Sequence, residues 1–203
     1  MSETSLILSL FYRFFDAVVR GTMLSVFRLC RLSRGNLLIR HLEVYLVGTT
    51  LMIVLLISLS LVFHWVGWVM VIVGGLRILQ IVSLNVMSLL FGPRLLSPEV
   101  PEKDRIRWRF VAILFSIFDI LLIFAFYFHF FNRLYAVLNI GPRSFLDHFY
   151  YSMMTLMTVG FGDIVPVSPL GKFLTVLETF MGVFLFLFLV NAVMGRFQRR
   201  LDS

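Results

Sequence analysis

The chain has 203 residues, of which 18 are Lys or Arg and 11 are Asp or Glu, for a formal charge of +7. Apolar residues make up 60% and charged residues 14%, against about 45–50% and about 25% in soluble domains. A core of this size cannot hide that surplus, which argues against a soluble enzyme and for a membrane protein. The basic residues lie in short segments between apolar runs, as membrane topology is written, and no basic face on a soluble domain is evident, so no nucleic-acid partner is expected. Cys30 is the single cysteine. It excludes an intramolecular disulfide, a Cys-based zinc site and an iron–sulfur cluster, and no cofactor is expected.

Residues 1–43 are expected to form a cytoplasmic amphipathic helix. At about 100° per residue, Arg13, Arg20, Arg28, Arg31, Arg34 and Ser9 fall within an arc of about 120°, with Leu, Phe and Val on the rest. Such a face suits the lipids of an anionic cytoplasmic leaflet. Arg28, Arg31 and Arg34 also repeat every third residue, as in voltage-sensing helices, but a lipid-lying helix is the preferred reading. No secretory signal is expected, since no short apolar run with a cleavage site follows the initiator.

From Val44 to Leu76 no residue carries a fixed charge. As one helix this stretch would run about 50 Å, against a hydrocarbon core of about 30 Å, so the chain must turn back. His64-Trp65-Val66-Gly67-Trp68 is the favoured turn, because Trp suits the interface and Gly a tight reversal; Gly74-Gly75 is the alternative. The result is a two-span hairpin over 44–91, with spans near 44–64 and 67–91. A cytoplasmic loop follows over 92–109, with Pro93, Pro98 and Pro101. An outer helix is expected over 110–131, a short helix over 144–157, an inner helix over 171–194 and a short cytoplasmic tail over 196–203. Fourteen Lys and Arg fall on one side and three on the other, which puts both termini in the cytoplasm. A plasma membrane, or a cell inner membrane in a bacterium, is the expected location.

Ser144 and Asp147 have capping-box spacing and mark the start of the short helix. At roughly 13 residues it reaches about 20 Å, half a crossing. Non-helical backbone then follows at membrane depth, which is tolerated only when buried in protein or lining a watery path. That backbone is Thr158-Val159-Gly160-Phe161-Gly162-Asp163. With a short helix before it, and Asp, Pro and an apolar helix after it, the segment over about 145–194 resembles the potassium-channel pore family.

The resemblance implies an all-α membrane protein with four transmembrane helices and a re-entrant helix and filter loop per subunit, assembled as a homotetramer. It implies a potassium-selective channel with no enzyme activity, conducting K⁺ passively between Thr158, Val159, Gly160 and Phe161, with Gly162 next and Asp163 at the outer mouth. Gly160 and Gly162 can take positive φ at little cost, which lets successive carbonyls face one side. A weakly selective cation channel, or a non-conducting scaffold that keeps the pore fold, are the alternatives. Phe161 stands where Tyr is commonest in the family, and cannot bond the aromatic cuff of Tyr150 and Tyr151. Met154 stands where some members carry a carboxylate that pairs with the outer Asp, so Asp163 needs another partner, such as Tyr151 or water.

Gly182 falls at the family's hinge position, where bending and close packing are equally good readings. Phe186 and Val190 are gate candidates on a face with Val183 and Met194. Glu178 is expected to accept bonds from the short helix or loop. Arg77 and Asp119 are each placed about 15 Å deep and are expected to form an intramembrane ion pair. His64, His129 and His148 are placed near the outer interface and His41 near the inner one, with no metal-ligand spacing among them. No cytoplasmic sensor is expected after Asn191. Deleting residues 1–36 is predicted to alter open probability or membrane affinity and to leave ion selectivity unchanged, as read by single-channel recording and vesicle flotation; altered selectivity would contradict it.

Overall fold

A computed structural model describes residues 36–90, 102–140 and 144–201. The amphipathic face of 1–35, with Cys30, and the stretch 91–101 lie outside the described residues. The architecture is all-helical: α1 (Asn36–Val62), α2 (His64–Leu90), α3 (Glu102–Tyr135), α4 (Phe145–Leu156) and α5 (Pro169–Leu201). Four of them contain segments long and apolar enough to cross a membrane: Glu43–Val62, His64–Val86, Arg107–Tyr135 and Pro169–Asn191. The chain is a membrane protein of the expected class. Its residues fall into two compact units, one taking in Met1–Thr49 and Val73–Arg109, the other Thr50–Ile72 and Phe110–Ser203.

In the first unit, Gln80 donates to the Tyr45 hydroxyl at 2.5 Å, 35 residues away in sequence. A continuous helix would hold these residues about 50 Å apart, so α1 and α2 fold back on each other. Arg77 belongs to this unit; it donates to Gln80 at 2.8 Å and lies over the Tyr45 ring.

The reversal is at Phe63, the one residue between the two helices, which corrects the turn expected at His64–Trp68. Those residues are helical, and so are Gly74 and Gly75. Gly67 serves another purpose: a Cβ there would collide with the Phe130 ring. Glycine was legible at this point, but its use is close packing and not a bend.

In the second unit α3 is enclosed almost all round. Every residue from Asp119 to Phe130 is buried. The tip of the hairpin covers one side: Thr50 donates to Asp119 at 2.6 Å, Tyr127 donates to the Val71 carbonyl at 2.8 Å, and Trp68 meets Phe130 edge-on. The short helix α4 covers another, with Tyr151 edge-on to Phe128 at 4.8 Å.

Several helix ends differ from expectation. The outer helix begins at Glu102, inside the segment read as a loop, and the inner helix begins at Pro169 and runs to Leu201. Hydropathy marks where lipid begins, whereas the backbone stays helical until something stops it. At α5 the start is chemical: the Ser168 hydroxyl accepts from the Gly171 N–H at 3.0 Å, with Pro169 at the first helical position.

The site is positioned by the contact of α4 with α5. Gly182 lies so close to the carbonyl of Leu156, the last residue of α4, that a Cβ would strike it. α5 passes through Gly182 unbroken. Were Gly182 only a bend, alanine there would stabilise the helix by up to about 1 kcal/mol. Because the obstacle is backbone and cannot swing aside, Gly182→Ala is expected to destabilise by about 1–3 kcal/mol instead. Unfolding in detergent followed by circular dichroism reads the sign, and a gain in stability would contradict the packing.

Candidate functional site: a half-helix and its ribbon

α4 is 12 residues long, about 18 Å, and cannot cross a bilayer. It starts where the Ser144–Asp147 spacing puts it, but the capping box is incomplete. The Ser144 hydroxyl makes no bond to the helix backbone and instead donates to the Asp147 carboxylate at 3.1 Å. One face of α4, carrying His148, Tyr151, Ser152 and Leu156, is buried. The opposite face, with Leu146, Met153 and Met157, is exposed on the single subunit.

The ribbon leaves α4 through bonds to its last turn. The Thr158 N–H donates to Thr155 at 3.0 Å, and the Val159 N–H donates to Met154 at 2.9 Å. Thr158, Gly160 and Gly162 then have φ of +56°, +57° and +80°. Every second residue is therefore left-handed, an alternation that ordinary strand lacks. The two glycines adopt it freely; Thr158, β-branched, does so against a steric cost. The positive φ at Thr158 was not legible in the sequence, because only the glycines advertise that conformation. Nothing lies within 4 Å of a Cβ built on Gly160 or Gly162. All six residues of the ribbon are exposed on the single subunit, Phe161 to 69%.

Beyond the ribbon the chain is clipped to the end of α3. Asn139 and Val165 exchange bonds, the Asn139 N–H donating to the Val165 carbonyl at 3.0 Å and the Val165 N–H to the Asn139 side chain at 2.9 Å. The Val167 N–H donates to the Val137 carbonyl at 3.0 Å. The buried Asn132 supports the clip, accepting from the Leu138 N–H and donating to the Ile140 carbonyl, both at 2.9 Å. Gly171 packs so closely on the Val137 carbonyl that no side chain would fit. None of Asn132, Asn139 and Gly171 was singled out from sequence, since each acts through a backbone partner that spacing does not reveal.

The Tyr151 hydroxyl pairs with Thr175 of α5 at 2.8 Å, and the Tyr150 phenol lies within reach of the Asp163 charge. Behind α4, Ser152 is hydrogen-bonded both to Glu178 of α5 and, at 3.1 Å, to the Leu121 carbonyl of α3. Glu178 thus meets the short helix, as expected, and is fully buried away from the ribbon's exposed face. His129 and His148, 19 residues apart on different helices, bring their Nδ1 atoms to 3.4 Å, and His148 Nδ1 lies 2.9 Å from the Ser144 carbonyl. Among the described residues no group of three metal-ligating side chains gathers.

On α5, Leu174, Glu178, Met181 and Leu185 form the buried face. Val183, Phe186 and Val190 lie on the uncovered face. Arg77 and Asp119 belong to different units, and each is buried with the partner given above.

A half-length helix, a ribbon of alternating handedness and a flanking crossing helix define the pore module of a membrane channel. The family model described as an ion channel matches residues 116–199. That segment is similar to the pore module of potassium channels. An inward rectifier potassium channel, Kirbac3.1 of Paramagnetospirillum magnetotacticum, is 34% identical over 61 residues, 30% of this chain and 21% of that protein. Two-pore potassium channel 4 of Arabidopsis thaliana is 43% identical over 51 residues, 25% of this chain and 18% of that protein. A voltage-gated potassium channel of Aeropyrum pernix is 31% identical over 61 residues, 30% of this chain and 21% of its own. The chain spans about a fifth of the length of these relatives. No solved structure matches it.

The Tyr150 phenol is held above its ordinary value, by desolvation first and then by the hydrogen bond and negative charge of Asp163. A phenolate beside a carboxylate is disfavoured, so removing that charge should ease ionisation. Asp163→Asn is expected to move the Tyr150 titration to lower pH. The ultraviolet absorbance difference between each protein and its Tyr150→Phe counterpart isolates this phenol. An unmoved midpoint would contradict the contact.

Proposed function

We propose that four copies of the chain surround a common axis and conduct K⁺ selectively and passively through residues 158–163. The observation that carries this reading is the alternation of left-handed φ at Thr158, Gly160 and Gly162. A dehydrated cation needs replacement oxygens at each step, and a ribbon whose alternate residues are left-handed can aim successive carbonyls to one side. The uncovered surface supports assembly: the free face of α4, Val159 and Phe161 on the ribbon, and the Phe180–Phe186 side of α5 are apolar and exposed in one subunit. Neighbouring copies would bury that surface and leave the ribbons at the centre.

In this reading K⁺ is bound between Thr158, Val159, Gly160 and Phe161, Gly162 continues the ribbon, and Asp163 stands at the outer mouth. Phe186 and Val190 form the ring that closes the pore by dewetting, and Gly182 is the point about which the inner helix moves. Both termini lie in the cytoplasm, in a plasma or inner membrane, and the N-terminal Arg face rests on anionic lipid.

K⁺ flux from vesicles reconstituted with the purified chain is expected, with a reversal potential that follows the K⁺ and not the Na⁺ gradient. Gly160→Ala is expected to abolish that flux without unfolding the protein. The added Cβ has room, but it makes the left-handed conformation cost about 1–2 kcal/mol in every copy. A reversal potential midway between the two gradients would favour a weakly selective channel, and no flux at all a scaffold.

A further inference from the structure

Ser152, Glu178 and the Leu121 carbonyl meet where α3, α4 and α5 converge behind the ribbon. Ser152 and Glu178 are both fully enclosed. The Ser152 Oγ is 3.1 Å from the Leu121 carbonyl oxygen and is also hydrogen-bonded to Glu178 Oε1. A serine hydroxyl owns one proton. A backbone carbonyl can only accept, so if Ser152 donates to Leu121 it has nothing left for a carboxylate. The second proton has to come from Glu178. The other carboxyl oxygen agrees, for Oε2 is buried and has no hydrogen-bond partner among the described residues. An ionised carboxylate left in that state would carry a heavy desolvation penalty; a neutral acid leaves there only a carbonyl oxygen.

We propose that Glu178 is a protonated carboxylic acid that donates to the Ser152 oxygen, while Ser152 donates to the Leu121 carbonyl, so that one proton fastens the inner helix to the half-helix and the outer helix. Glu178 is then a positioning residue for the ribbon, and that role rests on the channel reading above; its protonation does not. Tyr151 is the titratable group that α4 presents beside it, with its hydroxyl engaged by Thr175, and α3 presents the Leu121 carbonyl. Loss of the proton sets two acceptors against each other and places an unbalanced charge between α4 and α5. The fastened state therefore belongs to the acid form and is lost as pH rises.

Infrared spectra of the whole protein in lipid test the proton directly. The wild-type minus Glu178→Gln difference at neutral pH is expected to show the carbonyl stretch of a protonated carboxyl, and Ser152→Ala to shift that band. Its absence overturns the protonation whether or not the chain conducts. Vesicle K⁺ flux tests the positioning. Glutamine keeps the size and a donor at every pH, so wild-type flux is expected to fall on alkalinisation while Glu178→Gln flux holds. Equal falls in both overturn the positioning role. Wild-type vesicles that pass no K⁺ overturn the channel reading and with it that role, while the infrared band still decides the proton.

Discussion

Backbone that leaves a helix inside a bilayer must be met by protein or line a watery path. That requirement governs everything around the half-helix. α4 stops short of a crossing, and its closing turn is met by the amides of Thr158 and Val159. The Leu156 carbonyl is pressed against α5 at a glycine. Beyond the ribbon, Asn132 and Asn139 supply the hydrogen bonds that a regular helix would have found within itself. The irregular stretch is held by amide side chains and close helix contact in place of solvent.

The same economy explains the choice of residues where helices touch. Gly67, Gly171 and Gly182 each sit where a methyl group would strike a neighbour, a phenyl ring in one case and a backbone carbonyl in two. In lipid, close approach of this kind gives association its dispersion energy, because apolar burial against acyl chains brings little. Polar side chains with their hydrogen satisfied locally, such as Ser83 on Leu79 and Ser116 on Ala112, add no demand of their own.

What was readable in advance was local and repetitive. The half-helix announced itself through Ser144 and Asp147, and the ribbon through its glycines, since the conformations involved are confined to a few residue types. Charge-free length gave the number of crossings. Helix ends were less legible, because apolar content records the extent of lipid and not the extent of the ladder: α3 extends down to Glu102 and α5 on to Leu201. The Ser168-Pro169 pair marks the start in the sequence, two residues before the start that hydropathy alone gives. Partners across the fold were hidden. Tyr151 found Thr175, and His129 found His148, through packing that no spacing encodes.

The burial of α3 has a consequence for how the molecule meets its membrane. Between Asp119 and Phe130 this helix is coated by rings and aliphatic groups from its own chain, whereas the hairpin leaves residues such as Leu51, Leu55 and Ile72 uncovered. A swap of one aliphatic residue for another on α3, neutral to a greasy solvent, becomes a question of shape.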